Sequence, residues 1–254
     1  MGKCMGVFLL AFSLLLPVLA DECPTQDEFD IIVEREMFKF IHGRDWQSAV
    51  SFWKKKGVTD DMFVKSYIKI AKQNMDAPEG SEAHRKCVWS ITNGIRVHAS
   101  QGQLTNLVEI ATKARMDDMR TAAISAYYDR TQGTSEFLDF AESVLEGPNV
   151  TVAVASNVFR GLSLDLKGLK PESHERRARI LGLARRQIER GGGGIVSADV
   201  LLERNDPAYS KSLLRKKAVR SILSPDKSPI LNARKDWREA TMDRYRDVQK
   251  RLGE

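Results

Sequence analysis

Histidine and cysteine are scarce in this chain, with four of the first and three of the second in 254 residues. None of His42, His84, His98 and His174 stands in a His-Glu-x-x-His pattern or at another zinc spacing from Cys, Asp or Glu. Cys4, Cys23 and Cys87 are too far apart for a metal knuckle. Also missing are Gly-x-Ser-x-Gly, Ser-x-x-Lys and Cys-Gly-x-Cys, so no familiar nucleophile is written into the chain. The four glycines 191–194 have no strand pattern before them and no Lys-Ser or Lys-Thr after them, which excludes a nucleotide-phosphate loop and leaves a flexible joint as the expectation. No cofactor and no bound metal are expected. No apolar run approaches the ~20 residues of a membrane-spanning helix, and no aromatics interleave the basic clusters as a nucleic-acid stacking platform requires.

The longest apolar run lies at the start. Lys3 precedes it, it extends over residues 7–16, and Pro17 and Val18-Leu19-Ala20 lead into acidic Asp21 and Glu22. This order is that of a secretory signal peptide cleaved after Ala20, so residues 1–20 are assigned to the signal and the mature chain is expected to be secreted or periplasmic without a transmembrane segment. An uncleaved anchor is the plainer alternative. Lipoprotein processing is excluded, because Cys23 follows two acids instead of small residues.

Residues 21–254 read as one domain, with no low-complexity linker to divide them. Charge is distributed unevenly along it. From Asp21 to Leu166 there are 17 Lys+Arg against 22 Asp+Glu, whereas residues 167–254 hold 22 against 12, giving −5 and +10. A basic C-terminal third of this kind points to an acidic partner, an anionic surface or a solvated cationic face. Cys23 and Cys87 could pair in an oxidising compartment; alternatively Cys87, sharing a helix face with Val88, Ile91 and Ile95, is a small buried hydrophobe. Asn149-Val150-Thr151 is a glycosylation acceptor if the host modifies exported chains.

Proline acts as punctuation. Pro24, Pro78, Pro148, Pro171, Pro207, Pro225 and Pro229 all lie at the edges of segments whose apolar residues recur at helical spacing. These segments predict helices from Thr25 to Phe40, opened by a Thr25/Glu28 capping box, then Asp45 to Lys55, Asp60 to Asn74, Ser81 to His98, Gln103 to Arg115, Asp117 to Thr131 and Ser135 to Leu145. They continue with Val150 to Leu166, whose β-branched residues leave a strand open, Pro171 to Arg190, Val196 to Arg204, Asp206-Pro207 to Leu223 and Pro229 to Leu252. The expected class is therefore all-α with about twelve helices, joined by loops short enough for antiparallel neighbours.

Asp118-Met119-Arg120-Thr121-Ala122-Ala123-Ile124 resembles the second-helix signature of HEAT-type repeats, in which an acid opens the helix, an arginine follows and small residues pack on the neighbour. Small-apolar stretches at Cys87 to Ile91 and Ala153 to Phe159 lie about one repeat to either side, without the Asp-x-Arg element. The stretch Gly43-Arg44-Asp45-Trp46-Gln47-Ser48-Ala49-Val50 with Phe52-Trp53 looks like part of a tetratricopeptide unit. Together these resemblances imply an α-solenoid, a right-handed stack of antiparallel helical hairpins that presents an extended surface to proteins or peptides.

Among polar residues the Asp60-Asp61 and Asp117-Asp118 pairs open helices, where carboxylates cap amides and complement the dipole, so they need no acid/base role. Arg176, Arg179, Arg186 and Arg190 fall within about 80° of one another on a helical wheel, with Leu183 among them and Leu181, Ala184 and Ile188 opposite. Such a row is a candidate anion-binding site, since guanidinium forks match carboxylates, phosphates and sulfates. Lys211, Arg215, Lys216, Lys217 and Arg220 add positive charge on the next long segment. The leading expectation is an exported, non-enzymatic protein- or peptide-binding scaffold. Binding of an anionic polymer or envelope surface through 167–254 is the alternative, and a hydrolase without a familiar motif is a second one.

Overall fold

The computed structural model describes residues 23–35, 46–147, 150–169, 173–206 and 209. Among them every regular element is helical and none is a strand, including the β-branched segment after residue 150. Ten helices have eight residues or more. They are α1 (Gln26–Arg35), α2 (Trp46–Lys55), α3 (Asp60–Gln73), α4 (Glu82–Trp89), α5 (Thr105–Lys113), α6 (Asp117–Thr131), α7 (Ser135–Glu146), α8 (Val152–Gly168), α9 (His174–Arg190) and α10 (Ile195–Asn205). The two helices expected after Asp206 lie outside the described residues, as do the signal segment, Asn149 and His42, so ten stand where about twelve were expected.

Local chemistry explains where the helices begin. The hydroxyls of Thr59, Ser81 and Thr151 accept from the amides of Met62, His84 and Val154, each satisfying one of the donors a helix start leaves unpaired. The capping box at Thr25 and Glu28 is formed, and Ser100 with Gln103 makes a second one ahead of α5. Their worth is typically about 1 kcal/mol each.

The segment from Ser81 to His98 departs from the single regular helix expected. After α4 the backbone widens into a π-helical turn, Ser90–Ile95, before a last helical turn, Arg96–His98. The Tyr67 ring from α3 lies on this turn at Gly94, where an added Cβ would stand 2.3 Å from a ring carbon. A contact between two helices thus coincides with the irregularity, in a place where helix periodicity carries no warning of it.

Packing follows the order of the chain. Each odd-numbered helix from α3 on lies against the even-numbered helix that follows it; α3 also meets α5, α5 meets α7, and α7 meets α9. In the same way α4 with its π turn meets α6, α6 meets α8, and α8 meets α10. Helix α2 joins through rings: Trp53 packs edge-on to Phe29 of α1 at 5.8 Å, and Trp46 meets Trp89 at 4.1 Å. The buried apolar residues form one continuous core from Phe29 to Leu202. Helix α6 is covered on most sides, only Asp118, Asp129 and Arg130 being exposed.

The 191–194 glycines form a tight corner between α9 and α10, in place of the flexible joint expected. Gly191 and Gly192 have φ of 85° and 88°, and a Cβ on Gly193 would lie 2.6 Å from the Thr151 carbonyl carbon. A left-handed turn followed by backbone against backbone requires residues without side chains there.

Gly161 of α8 repeats the Gly94 arrangement, its absent Cβ lying 2.6 Å from Phe137 of α7. Gly161→Ala is expected to cost about 1–3 kcal/mol, because the ring has to give way in a filled core. Gly168→Ala, which meets nothing within 4 Å, is expected to leave stability unchanged or slightly raised. Urea denaturation followed by circular dichroism distinguishes the two.

Candidate interaction surface

The four candidate arginines do share one face of α9, and that face is turned onto α7 and the loops at its ends. Arg176 donates to Asp165 Oδ2 at 2.5 Å and to the Gly133 carbonyl, while Asp165 Oδ1 accepts the Gly133 amide at 3.0 Å. Arg179 binds Asp139 at 2.7 Å and Glu142 at 3.0 Å; Arg186 binds the other oxygen of Glu142 at 2.9 Å. Arg190 caps the C-terminal end of α7 through the carbonyls of Leu145, Glu146 and Gly147. Leu183, expected as an apolar insert in an exposed row, is fully buried. Hydrogen bonds from Asp139 and Glu142 raise the pKa of Arg179 above its ordinary value. The row is therefore a seam between α9 and α7, with carboxylate and carbonyl oxygens already in the positions an external anion would take. Lys211, Arg215, Lys216, Lys217 and Arg220 lie outside the described residues.

The cysteines are free thiols in this structure. Exposed Cys23 leans on Gly57 in the α2–α3 turn, whereas Cys87 is buried in the face of α4 that meets α3 and donates to the Ala71 carbonyl at 3.4 Å. Burial, helped by Asp118, pushes the Cys87 thiol up to about 12, and Cys87 packs as a small hydrophobe; the two cysteines are unbridged in this structure.

His84, His98 and Cys87 do not converge, and the described residues contain no group of metal-ligating side chains. His84 accepts the Gly80 amide at Nδ1 and meets Asp118 with Nε2 at 2.7 Å, which assigns its proton to Nε2. His98 meets Asp60 at 3.1 Å and stacks on Phe63; His174 is exposed. Both acidic pairs are engaged as helix openers: Asp60 with Lys54, Asp61 with Lys65, Asp117 with Arg120, Asp118 with His84. A groove of about 390 Å³ on α2 is lined by Gln47, Ser48, Ser51, Phe52 and Lys55. No carboxylate, imidazole or thiol belongs to that lining.

The even-numbered helices carry a different pattern. Ser125 of α6 bonds Asn157 of α8 at 3.3 Å, and Ser156 of α8 bonds Ser197 of α10 at 3.0 Å. Arg96, in the helical turn that follows the π turn, pairs with Asp129 of α6; Thr92 stands four residues before Arg96, as Ser125 does before Asp129. Thr92, Ser125, Asn157 and Ser197 are all half-buried small polar residues, one on each successive element of the even row; hydrogen bonds join Ser125 to Asn157 and Ser156 to Ser197, while Thr92 bonds within its own segment. Trp89, Ala122 and Ala153, also half-buried, flank these residues on one side; exposed Arg96, Asp129 and Arg160 flank them on the other. The steps from Thr92 to Ser125 and from Ser125 to Asn157 are 33 and 32 residues. That spacing was present in the sequence, hidden among small polar residues that carry no charge and no motif.

The two charged residues of the HEAT-like stretch have structural partners. Arg120 is 4% exposed and donates from Nε to the Ala111 carbonyl at 2.9 Å, fastening α6 to α5, while Asp118 reaches back to α4 through His84. No protein-family model matches the chain, and no curated protein or solved structure shows significant similarity to it.

Two outcomes follow from these ion pairs. Arg176→Ala leaves the Asp165 carboxylate, 2% exposed, without its counter-charge; the expected cost is on the order of 3 kcal/mol in denaturant midpoint analysis. The second concerns His98, whose pKa is lowered by burial despite Asp60, with Lys54 and Arg130 adding positive charge nearby. The unfolded chain takes up this proton first, so the His98 contribution is complete above about pH 6.5 and declines as pH falls below it. Asp60, also lowered, acts only below its ordinary value of 3.8. His98→Gln is expected to flatten the pH dependence of the melting temperature between pH 7 and 5.

Proposed function

We propose that this chain is an exported, non-enzymatic α-solenoid whose even-numbered helices form a surface for a protein or peptide partner. The observation that carries this reading is the recurrence of half-buried polar residues on successive even elements, Thr92, Ser125, Asn157 and Ser197, set between small apolar residues and charges. Its supports are the order of packing, in which helices meet their neighbours and next neighbours, and the reach of the polar ties. Arg130 to Ala99 spans 31 residues, His84 to Asp118 spans 34 and Arg190 to Leu145 spans 45, each about one helical hairpin. A stack held together by contacts between successive units is quasi-one-dimensional, the arrangement the HEAT-like and tetratricopeptide-like stretches imply.

The side chains between helices also favour a direction of curvature. Between α6, α8 and α10 the bonds join short side chains, Ser125 to Asn157 and Ser156 to Ser197, while the α4 segment reaches α6 through His84–Asp118 and Arg96–Asp129. Along the odd row longer ones bridge the gap: Lys69 to Asp30, Lys72 to Glu109, and Arg179 and Arg186 to Glu142. Closer spacing on the even side bends a stack toward it, so in this reading the polar residues lie on the concave face. Export rests on the signal pattern of residues 1–20; among the described residues no helix is long and apolar enough to cross a membrane. The polyanion alternative keeps the +10 charge of residues 167–254 but loses the four arginines that made it specific.

The test is salt dependence of a captured complex. A partner isolated from the native compartment is expected to stay bound between 0.05 and 0.5 M salt, losing less than about tenfold in affinity, because such contacts are screened little. Binding that collapses over this range and is reproduced by heparin would replace the scaffold reading with the polyanion one.

A further inference from the structure

We infer that Asn157 and Arg160 of α8 read an extended, acidic polypeptide segment laid across α4, α6, α8 and α10. This deepens the scaffold reading and rests on it. Asn157 accepts from Ser125 at Oδ1, which leaves the two Nδ2 hydrogens pointing away from that bond and without a partner among the described residues. The group is half-buried, so an incoming carbonyl oxygen would satisfy it better than intermittent water does.

Spacing selects the shape of the ligand. Packed helices stand about 8–10 Å apart, and an extended chain advances ~3.3 Å per residue, so it meets one helix of the row about every third residue. An extended main chain presents free N–H and C=O groups to Ser125, Asn157 and Ser197; a helical ligand has already used its own. A β-strand-like or polyproline-like segment therefore fits this line, and a helix does not.

Charge selects the side chain opposite α8. In the turn after the π helix Arg96 is held by Asp129, and on α6 Arg130 is held by the Ala99 carbonyl. Arg160, one turn beyond Asn157, is exposed and has no ion pair among the described residues. A carboxylate of the ligand is its natural counterpart. Leu164, the next residue on this face and 44% exposed, adds an apolar contact beside it.

The experiment is a selection of random, unstructured 12-residue peptides displayed on phage against the exported chain, followed by fluorescence anisotropy on the enriched peptides. They are expected to share an Asp or Glu and to lose about tenfold or more in affinity, about 1.4 kcal/mol, with Asn157→Ala and with Arg160→Ala separately; the melting temperature is expected to be unchanged in Arg160→Ala and to fall by no more than a few degrees in Asn157→Ala, with the fold retained. Methylation of the peptide's main-chain nitrogens is expected to leave the Asn157 dependence intact, while reduction of the carbonyl facing α8 to a methylene abolishes it. Enriched peptides that bind equally well to both variants overturn this inference and leave the scaffold standing. A selection that enriches nothing, with heparin retained at 0.05 M salt, overturns both.

Discussion

Two aromatic rings resting on glycine backbone, Tyr67 on Gly94 and Phe137 on Gly161, set how near an odd helix comes to the even one that follows it. The distances leave no room for a methyl group, so the residue at these points is dictated by packing and by nothing in the helix itself. Where the ring is Tyr67 the receiving helix passes through a π turn at Ser90–Ile95; where it is Phe137, α8 continues regularly. Once the pair is this close, the even helix can touch its successor as well, and Ser125 comes within hydrogen-bonding reach of Asn157 and Ser156 of Ser197. Close approach at the glycines thus precedes everything assigned to that surface.

Charge works on the other row. The seam from Arg176 to Arg190 fastens α9 to α7 with three carboxylates and four carbonyl groups. Most of it is partly exposed, where single ion pairs stabilise little; the exception is the Asp165–Arg176 pair, whose acid is almost wholly enclosed. That pair also binds both backbone groups of Gly133, so one buried contact fixes the α6–α7 turn, the end of α8 and the start of α9 together. The strongly basic last third seen in composition is therefore spent in part on internal neutralisation of acids in the preceding third. Net charge reports a sum and is blind to which charges face each other.

How far the sequence could be read follows from the range of each interaction. Helix periods and caps are local, and the limits of α3 and α6 agree with expectation to within one residue. The π turn depends on Tyr67 contacting Gly94 across two helices, and the tight corner at 191–194 depends on the backbone near Val150 and Thr151, so neither is visible in a local window. The arginine row was correctly placed on one face of α9; what that face meets, Asp139 and Glu142 some 40 residues earlier, is tertiary information. Conversely, Thr92, Ser125 and Asn157 were legible as a repeat of 33 and 32 residues and were passed over because attention to charge and motif discounts neutral hydroxyls and amides.

In the proposed reading, these two kinds of contact also divide the labour of a binding scaffold. A surface that must accept a partner gains when its own groups are held before the partner arrives, since less conformational entropy is lost on association. Asn157 is oriented by Ser125, and Ser125 sits on a helix that Arg120 fastens to α5 and His84 fastens to α4 through Asp118. Their rigidity is inherited from buried ties on adjacent helices, none of which involves the ligand-facing atoms. The long ion pairs of the odd row, exposed and adjustable, can lengthen or shorten without breaking the core beneath them. In the proposed reading, helices tied in this way hold Ser125, Asn157 and Ser197 in place while the exposed pairs adjust, which is the combination that a surface reading an extended chain requires.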